Sequence, residues 1–250
     1  MNNPVATTWL ISFEQIRQRD PLAADYLSFM AYVDAKDTPQ SLLPPGQSRK
    51  KKTDAVGTLQ GYSFITKRSA DSAEKSASLC ETTVAGKMNI HRLVHLVTRN
   101  WLRKEGLLPG WTGRAIARLV EVRGDVAHNN RIGWRSYMPH AYYALGSRLT
   151  SEEDMDRLNL LWKYGICLYY DRRCQEAEAP FERVMEYRKT KLGADHPSTL
   201  ISMSNLAFIW KDKGRRGDAL GLIQTCFDLQ QQILGSSTKK QVINPLYHFH

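Results

Sequence analysis

The chain has 250 residues, 42% of them hydrophobic, and a formal net charge of +10. This length allows one large domain or two to three small ones, and six Trp and eleven Tyr exclude a mainly disordered chain. The apolar stretch from Val5 to Phe13 is too short and too polar for a signal peptide or a membrane span. We therefore expect a soluble, cytoplasmic protein without membrane contact.

Two helices are predicted between residues 4 and 34. In the first, apolar residues fall on one stripe at helical spacing. Asp20-Pro21 then supplies an N-cap followed by proline at the first helical position. The stripe of the first helix comprises Val5, Trp9, Phe13 and Ile16, and the second helix carries Leu22, Tyr26, Leu27, Phe29 and Met30.

The next segment contains a basic run and a predicted pair of strands. Prolines break the chain, and Arg49 to Lys52 is predicted to follow as a loop, before a short third helix over residues 53–61. Tyr62 to Ile65 alternates like a strand, and Met88 to Ile90 is the predicted return strand. Residues 68–87 are rich in Ser, Ala, Thr and Lys, which predicts an exposed loop. Three helices, a strand, a loop and a strand form the order of a winged-helix domain, here residues 1–106 with this loop as the wing.

Helices are then predicted at 91–104, 111–123 and 131–148. An acidic turn, Glu152 to Asp154, favours the start of a further helix through the helix dipole. Residues 107–156 are expected to be a helical connector that stacks on the repeats that follow and caps them.

A self-match at a spacing of 42 residues marks the segment 157–235. Small residues recur where two helices must touch, and bulky residues recur beside them, as in stacked helical hairpins. The two hairpins have predicted turns at residues 171–173 and 212–214, and the tail 236–250, with its apolar side chains, is expected to cover the exposed end of the stack. The matched positions are Gly165 with Ala207, Ala177 with Ala219, Phe181 with Ile223, and Leu192-Gly193 with Leu234-Gly235.

These hairpins resemble tetratricopeptide repeats of the kinesin-light-chain type. The second supplies the expected small, aromatic and turn residues, and the connector from Leu192 to Leu200 is similar to the connector of that family. The first departs from the pattern because Arg172 stands where the family has glycine at the turn. The residues that carry the resemblance are Gly165, Leu168, Ala177 and Phe181 in the first repeat, and Asn205, Leu206, Ala207, Trp210, Gly214, Ala219 and Ile223 in the second.

The N-terminal part resembles fungal NLR-like proteins, in which an NB-ARC or NACHT nucleotide-binding module precedes a winged-helix region and tetratricopeptide repeats. The segments that carry this likeness are Trp9 to Phe13, Ala23 to Met30 and His91 to Leu96. The chain contains no G-x-x-x-x-G-K-[ST] phosphate loop, so nucleotide hydrolysis is not carried over. The resemblance implies a fragment or a stand-alone descendant of a signalling receptor.

The tetratricopeptide resemblance also implies a binding groove on the first helix of each repeat. Polar groups beside aromatic faces can hold the backbone and the side chains of an extended peptide. The positions that map to the groove are Lys163, Ile166, Tyr169 and Tyr170 in the first repeat, and Asn205, Phe208, Lys211 and Asp212 in the second.

Further candidate chemistry is weaker. His91 and His95 lie four residues apart, but Arg92 replaces the glutamate of H-E-x-x-H and no third ligand is evident, so no metal site is expected. In the family a histidine at the position of His91 can contact bound phosphate. The four cysteines include no C-x-x-C pair and are expected to be reduced thiols. No catalytic residue or cofactor is expected.

The sequence thus predicts a mainly α protein with a winged-helix-like N-terminal domain, a small β-hairpin, a helical connector and a tetratricopeptide stack. The expected function is non-enzymatic binding of a protein or peptide in signal transduction. A winged-helix nucleic-acid-binding protein is a second hypothesis, which the lack of Arg and Lys in the helix predicted over 53–61 disfavours. A truncated receptor fragment without independent function is a third hypothesis. A nucleotide-binding module supplied by another chain also stays open.

Overall fold

The structure is a computed structural model that describes residues 4–46, 48–68, 86–122, 131–147 and 154–235. It is mainly helical and divides into two compact units. The first contains the described residues up to 122 and those of 132–147, and the second contains Arg131 and residues 154–235. Most of the predicted wing, part of the acidic turn and the tail 236–250 lie outside the described residues.

Helices α1 (Pro4–Arg19) and α2 (Pro21–Met30) confirm the first prediction. Trp9, Phe13 and Ile16 are buried, and Phe13 meets the Trp101 ring edge-on at 5.0 Å. The Asp20 carboxylate caps α2 by accepting a hydrogen bond from the Ala23 N–H at 3.1 Å. The buried apolar stripe therefore determines which face of α1 packs inward, and the Asp20 cap determines where α2 begins.

Helix α3 (Arg49–Gly61) corrects the prediction that the basic run is a loop. Strand β1 (Thr38–Pro39) and a 3₁₀ turn (Gln40–Leu42) precede it. The Ser48 hydroxyl accepts a hydrogen bond from the Lys51 N–H at 3.2 Å, so helical structure begins four residues before the predicted start at Thr53. The four cations form the first turn of the helix.

Strands β2 (Ile65–Arg68) and β3 (Lys87–Ile90) form an antiparallel sheet with β1, in the order β1-β3-β2. The predicted return strand is correct, but the strand predicted from Tyr62 to Ile65 is wrong. Tyr62 is the C-cap of α3, and Ser63 has a positive φ of 58°, so extended structure starts only at Ile65. This element order fits the predicted winged-helix-like domain, which remains a prediction.

Helices α4 (Arg92–Lys104) and α5 (Leu108–Glu121) follow as expected, with His91 as the N-cap of α4. The single helix predicted over 131–148 is wrong, because α6 (Arg131–Arg135) ends before α7 (Met138–Leu145) begins. Pro139 explains the break, since proline suits the first turn of a helix and disrupts its interior.

The connector expected over 107–156 does not form a separate domain in the described residues. Helix α5 packs against α2, α4 and α7 inside the first unit. Residues 107–122 and 132–147 belong to the first unit and residues 154–156 to the second, and the predicted domain bounds stay a prediction. Stacking of these helices on the first repeat stays a prediction.

The second unit consists of helices α8 (Met155–Tyr170), α9 (Cys174–Leu192), α10 (Pro197–Asp212) and α11 (Arg216–Gly235). Each packs against the next in the chain, as two stacked hairpins require. The predicted turns separate α8 from α9 and α10 from α11. This arrangement confirms the helical repeat stack.

Small residues lie where the helices of a hairpin approach closely. Gly165, Ala177, Ala207 and Ala219 are all buried. A Cβ atom added at Gly165 would lie 3.2 Å from Pro180 Cβ and from Phe181 Cε2. The first hairpin therefore tolerates no larger residue at position 165 without a shift of α9.

Candidate functional site

One depression in the second unit collects most of the predicted groove residues. Five of the eight line it, and the remaining lining residues, Phe181 and Ile209, form its apolar surroundings. The space is narrow, with room for about one water-sized group. The five predicted residues that line it are Ile166, Tyr169 and Tyr170 from α8, and Asn205 and Phe208 from α10.

Tyr169 and Asp212 link the two repeats at this site. Burial raises the pKa of Tyr169 to about 12, and the Asp212 carboxylate, which accepts a hydrogen bond from the Tyr169 hydroxyl, adds to the shift. The Tyr170 ring lies 5.9 Å from that of Tyr169 at an interplanar angle of 55°. The tyrosine pair thus gives the site an aromatic wall that a neighbouring carboxylate holds in position.

Asn205 supplies the site with a buried polar group. Its side chain is only 5% exposed, and its Oδ1 has no hydrogen-bond partner among the described residues. A buried amide oxygen without a donor costs about 1–3 kcal/mol. The surface of the depression is apolar, so this oxygen lies beneath the lining side chains and a peptide N–H reaches it only if they move aside.

The two predicted lysines do not line the depression. Lys211 is exposed near the C-terminal end of α10, and Lys163 is half-buried on α8. The structure therefore brings together the apolar and amide part of the predicted site, with Asp212 beside it.

A polar junction between the two hairpins is absent from the sequence predictions. Glu178 Oε1 accepts hydrogen bonds from Trp210 Nε1 at 2.8 Å and from Arg215 Nη1 at 2.7 Å. Lys213 donates to the second carboxylate oxygen. Because the Glu178 side chain is 14% exposed, three donors from the second hairpin meet one largely buried carboxylate on the first. Little in the sequence predicts this contact. Glu178 directly follows Ala177, and the turn of the second hairpin contains the basic residues Lys213 and Arg215.

The histidines considered for metal or phosphate binding have different roles. The His91 Nδ1 accepts a hydrogen bond from the Leu93 N–H at 3.3 Å, which caps α4. The His95 Nε2 lies 3.3 Å from the Val33 carbonyl oxygen, and its ring meets Tyr143 edge-on. In the described ranges no three His, Cys, Asp or Glu side chains come together as ligands of a metal ion.

Two further features concern possible partners. The first turn of α3 presents four consecutive cations and contains no acidic residue. Among the helices that the structure describes, none combines the length and the apolar character needed to cross a bilayer.

The repeats match a known family. The family model for the tetratricopeptide repeat matches residues 156–232, which span all four helices of the second unit almost completely. The matched range contains every residue of the depression. The repeat assignment predicted from the sequence is thereby confirmed.

The chain is also similar to a nucleotide-binding leucine-rich repeat (NLR)-like protein of Hyaloscypha variabilis, with 36% identity over 203 residues. The match covers 81% of this chain and 19% of that relative, so the chain spans about a fifth of its length. This similarity confirms the NLR-like resemblance expected from the sequence.

Two solved structures of kinesin light chain nearly identical TPR-like repeats from Podosopora anserina are similar at 16% and 14% identity. They cover 89% and 91% of this chain and 98% and 99% of their own, with TM-scores of 0.32 and 0.35. Scores of this size carry no conclusion about function. The chain thus carries a tetratricopeptide-repeat region over residues 156–232 and is similar, over most of its length, to part of an NLR-like protein.

Proposed function

We propose that the chain is a non-enzymatic interaction module whose repeat groove binds an extended peptide segment of a partner protein. The observation that carries this proposal is the apolar depression in which Tyr169, Tyr170 and Phe208 of α8 and α10 come together, with the amide of Asn205 buried beneath them. Tetratricopeptide repeats bind proteins and are generally not enzymes, which supports a binding role for this region.

The chemistry of the site suits a peptide. The faces of Tyr169, Tyr170 and Phe208 can hold an apolar side chain of the peptide, while the buried Asn205 oxygen can accept a backbone N–H where these rings move aside. The exposed Lys211 and Asp212 at the end of α10 can meet charged groups of the same peptide. The hydrogen bond, the apolar contact and the charge contacts lie at separate points of the site, and an extended peptide can make all three.

The size of the depression supports a peptide over a small-molecule ligand. Pockets for small molecules usually enclose about 300–1,000 Å³ and bury most of the ligand. This depression holds about one water-sized group and is lined by α8, α9 and α10. A partner would therefore rest on the surface and insert only the tip of one side chain.

A selection from a random displayed-peptide library on the full chain tests the proposal. We expect a consensus peptide whose affinity, measured by fluorescence anisotropy, falls at least tenfold with Asn205→Ala or Phe208→Ala. The matched control is Glu186→Ala, an exposed residue on α9 outside the depression. Peptides that bind all variants equally would contradict the proposal.

The start of α3 supports a second candidate function, nucleic-acid binding. The four cations predicted to precede the third helix lie inside its first turn, so the helix is not poor in basic residues. Cations at this point can neutralise backbone phosphates. Affinity for duplex DNA should then fall as the salt concentration rises. Replacing Arg49, Lys50, Lys51 and Lys52 by Ala should reduce the slope of log affinity against log salt concentration by about three to four. No measurable binding at low salt would exclude this candidate.

A further inference from the structure

The most buried apolar side chains of the depression come from three different helices. Ile166 of α8 is 5% exposed, Phe181 of α9 is 3% exposed and Ile209 of α10 is 1% exposed. We call these three residues the floor of the depression. Because each of them also belongs to the hydrophobic core of the second unit, core packing determines how deep the depression is.

The part of the floor that Phe181 forms is held in place from behind. Its ring meets the Trp162 ring edge-on, with the two centroids 4.9 Å apart. Its Cε2 atom also lies against α8, 3.2 Å from the position that a Cβ atom at Gly165 would take. A closely packed interior of this kind resists changes in volume. We therefore expect the depression to keep its size when a partner binds.

Three half-buried rings, those of Tyr169, Tyr170 and Phe208, form the rim of the depression. The hydrogen bond from the Tyr169 hydroxyl to Asp212 and the contact between the two tyrosine rings restrict the movement of this wall. A peptide side chain thus meets aromatic faces before it reaches the floor. The rim favours an apolar side chain, and the floor determines how far that side chain enters.

The size of the depression limits its occupant to about one methyl group. Its volume is about 10 Å³. A cavity needs about 10–15 Å³ on this measure to hold one water molecule, which is similar in size to a methyl group. An aromatic side chain, which buries about 150–250 Å², is too large to enter.

The polarity of the depression narrows the choice further. Only apolar atoms reach its surface, and its lining residues include no charged side chain. A hydroxyl, amide or ammonium group placed there would lose its hydrogen bonds to water without replacing them. A methyl group has no such bonds to lose, so it suits the depression in both size and polarity.

We propose that the depression binds the terminal methyl group of an aliphatic side chain, from Val, Leu, Ile or Met, in the partner peptide, and that Ile209 determines this preference. The preference rests on the proposed function, because it specifies the residue that the groove recognises. Ile209 is the most buried residue of the floor, so its side chain limits the depth on the α10 side. Burial of one methyl group improves affinity by about four- to tenfold.

The best-binding peptide of the displayed library on the full chain serves as the probe. Replacing each of its positions in turn by Gly identifies the anchor, which is the position with the largest loss of affinity. We expect the anchor to be aliphatic, and we expect Phe or Lys at that position to weaken binding by about tenfold or more.

Enlarging the floor should change this preference. Ile209→Ala removes three carbon atoms, so the affinity for the Phe-anchored peptide relative to the Leu-anchored peptide should rise by about tenfold or more. Leu206→Ala is the matched control, because it removes three carbon atoms from the same helix at a fully buried residue that does not line the depression, and it should leave this ratio unchanged. Ile209→Val is a milder change and should move the ratio in the same direction, so the test does not depend on the folding of Ile209→Ala.

The outcomes separate this preference from peptide binding as such. A peptide whose binding depends on Phe208 but whose anchor is aromatic or charged would overturn the methyl preference and leave the proposed function intact. An affinity ratio that neither Ile209 variant changes would do the same. Peptides that bind without dependence on Asn205 or Phe208 would overturn the proposed function, and the methyl preference with it.

Discussion

Arg172 and Gly214 lie 42 residues apart in the chain and hold the same left-handed backbone conformation, with φ of 62° and 82°. Each closes the turn between the two helices of its hairpin. Glycine adopts this conformation without a steric cost, whereas a residue with a Cβ is strained by about 1 kcal/mol. The 42-residue period of the sequence is therefore also a period of backbone conformation, and Arg172 is the strained one of the two turn residues.

Replacing Arg172 by glycine should stabilise the repeats. We expect the free energy of unfolding, measured by urea denaturation, to rise by about 0.5–1 kcal/mol, because the strain at φ 62° is removed. Gly214→Ala is the reciprocal change and should destabilise by about 1 kcal/mol. If both variants shift stability in the same direction, the two turns are not equivalent.

The small residues between the helices should not tolerate enlargement. Ala177 is fully buried in α9, so Ala177→Leu should overpack the first hairpin and cost about 1–3 kcal/mol. The same loss is expected for Ala219→Leu in the second hairpin. Ala179 lies two residues away on the exposed side of α9, and Ala179→Leu should change stability by less than about 0.5 kcal/mol. An unchanged melting temperature for Ala219→Leu would count against the repeat assignment.

The Glu178 junction should hold the second hairpin on the first. Glu178→Ala removes hydrogen bonds to three donors, two of them cationic, and should cost about 2 kcal/mol. The exposed Glu186→Ala in the same helix is the control and should have little effect. Comparable losses in the two variants would show that the junction contributes no more than a surface charge.

The same junction gives the repeats a dependence on acidic pH. Hydrogen bonding by Lys213 is the main cause that lowers the pKa of Glu178 below its usual value of 4.5. A carboxyl with a lowered pKa contributes stability that is complete above the unfolded value and is lost as pH falls through the folded value. The stability difference between Glu178→Ala and the unchanged chain should therefore shrink as pH falls below about 4.5.

His140 should make the first unit sensitive to pH at a higher range. It is 1% exposed, and burial lowers its pKa below 6.5, although a hydrogen bond to the Asp37 carbonyl and the charges of Asp34 and Asp37 partly oppose the shift. The unfolded chain therefore binds more protons than the folded chain. The stability that neutral His140 contributes is complete above about pH 6.5 and is lost as the pH falls below that value.

The measurement for His140 is the slope of unfolding free energy between about pH 7.5 and pH 5.5. His140→Asn keeps a donor for the Asp37 carbonyl but does not titrate, so the slope should become smaller whatever the absolute stability. An unchanged slope in His140→Asn would contradict the assignment, and His95, whose pKa burial also lowers, would be the next candidate.

Periodicity predicts the helices well, because burial of one face determines both pattern and position. Trp9, Phe13 and Ile16 illustrate this in α1, and the repeat of Gly165 at Ala207 illustrates it in the stack. The errors arise where local capping decides. The N-cap Ser48 starts α3 at the run of cations, which composition alone predicts to be a loop. The C-cap at Tyr62 places the start of β2 later in the chain than predicted.

The groove is predictable in part for a similar reason. Ile166, Tyr169, Tyr170, Asn205 and Phe208 follow from their place on the first helix of each repeat, and the structure brings them together. The Glu178 junction depends on a side chain of one hairpin reaching the turn of the next. Such a contact between distant residues leaves no periodic signal in a single sequence.

Hydrogen exchange of the full chain, with and without a groove-selected peptide, tests the central claim most directly. We predict that the peptide slows exchange mainly in the segments 163–170 and 205–212 of α8 and α10, where the lining residues lie. Protection confined to α11 or to the first unit, with α8 and α10 unchanged, would contradict the proposal that the repeat groove binds the peptide.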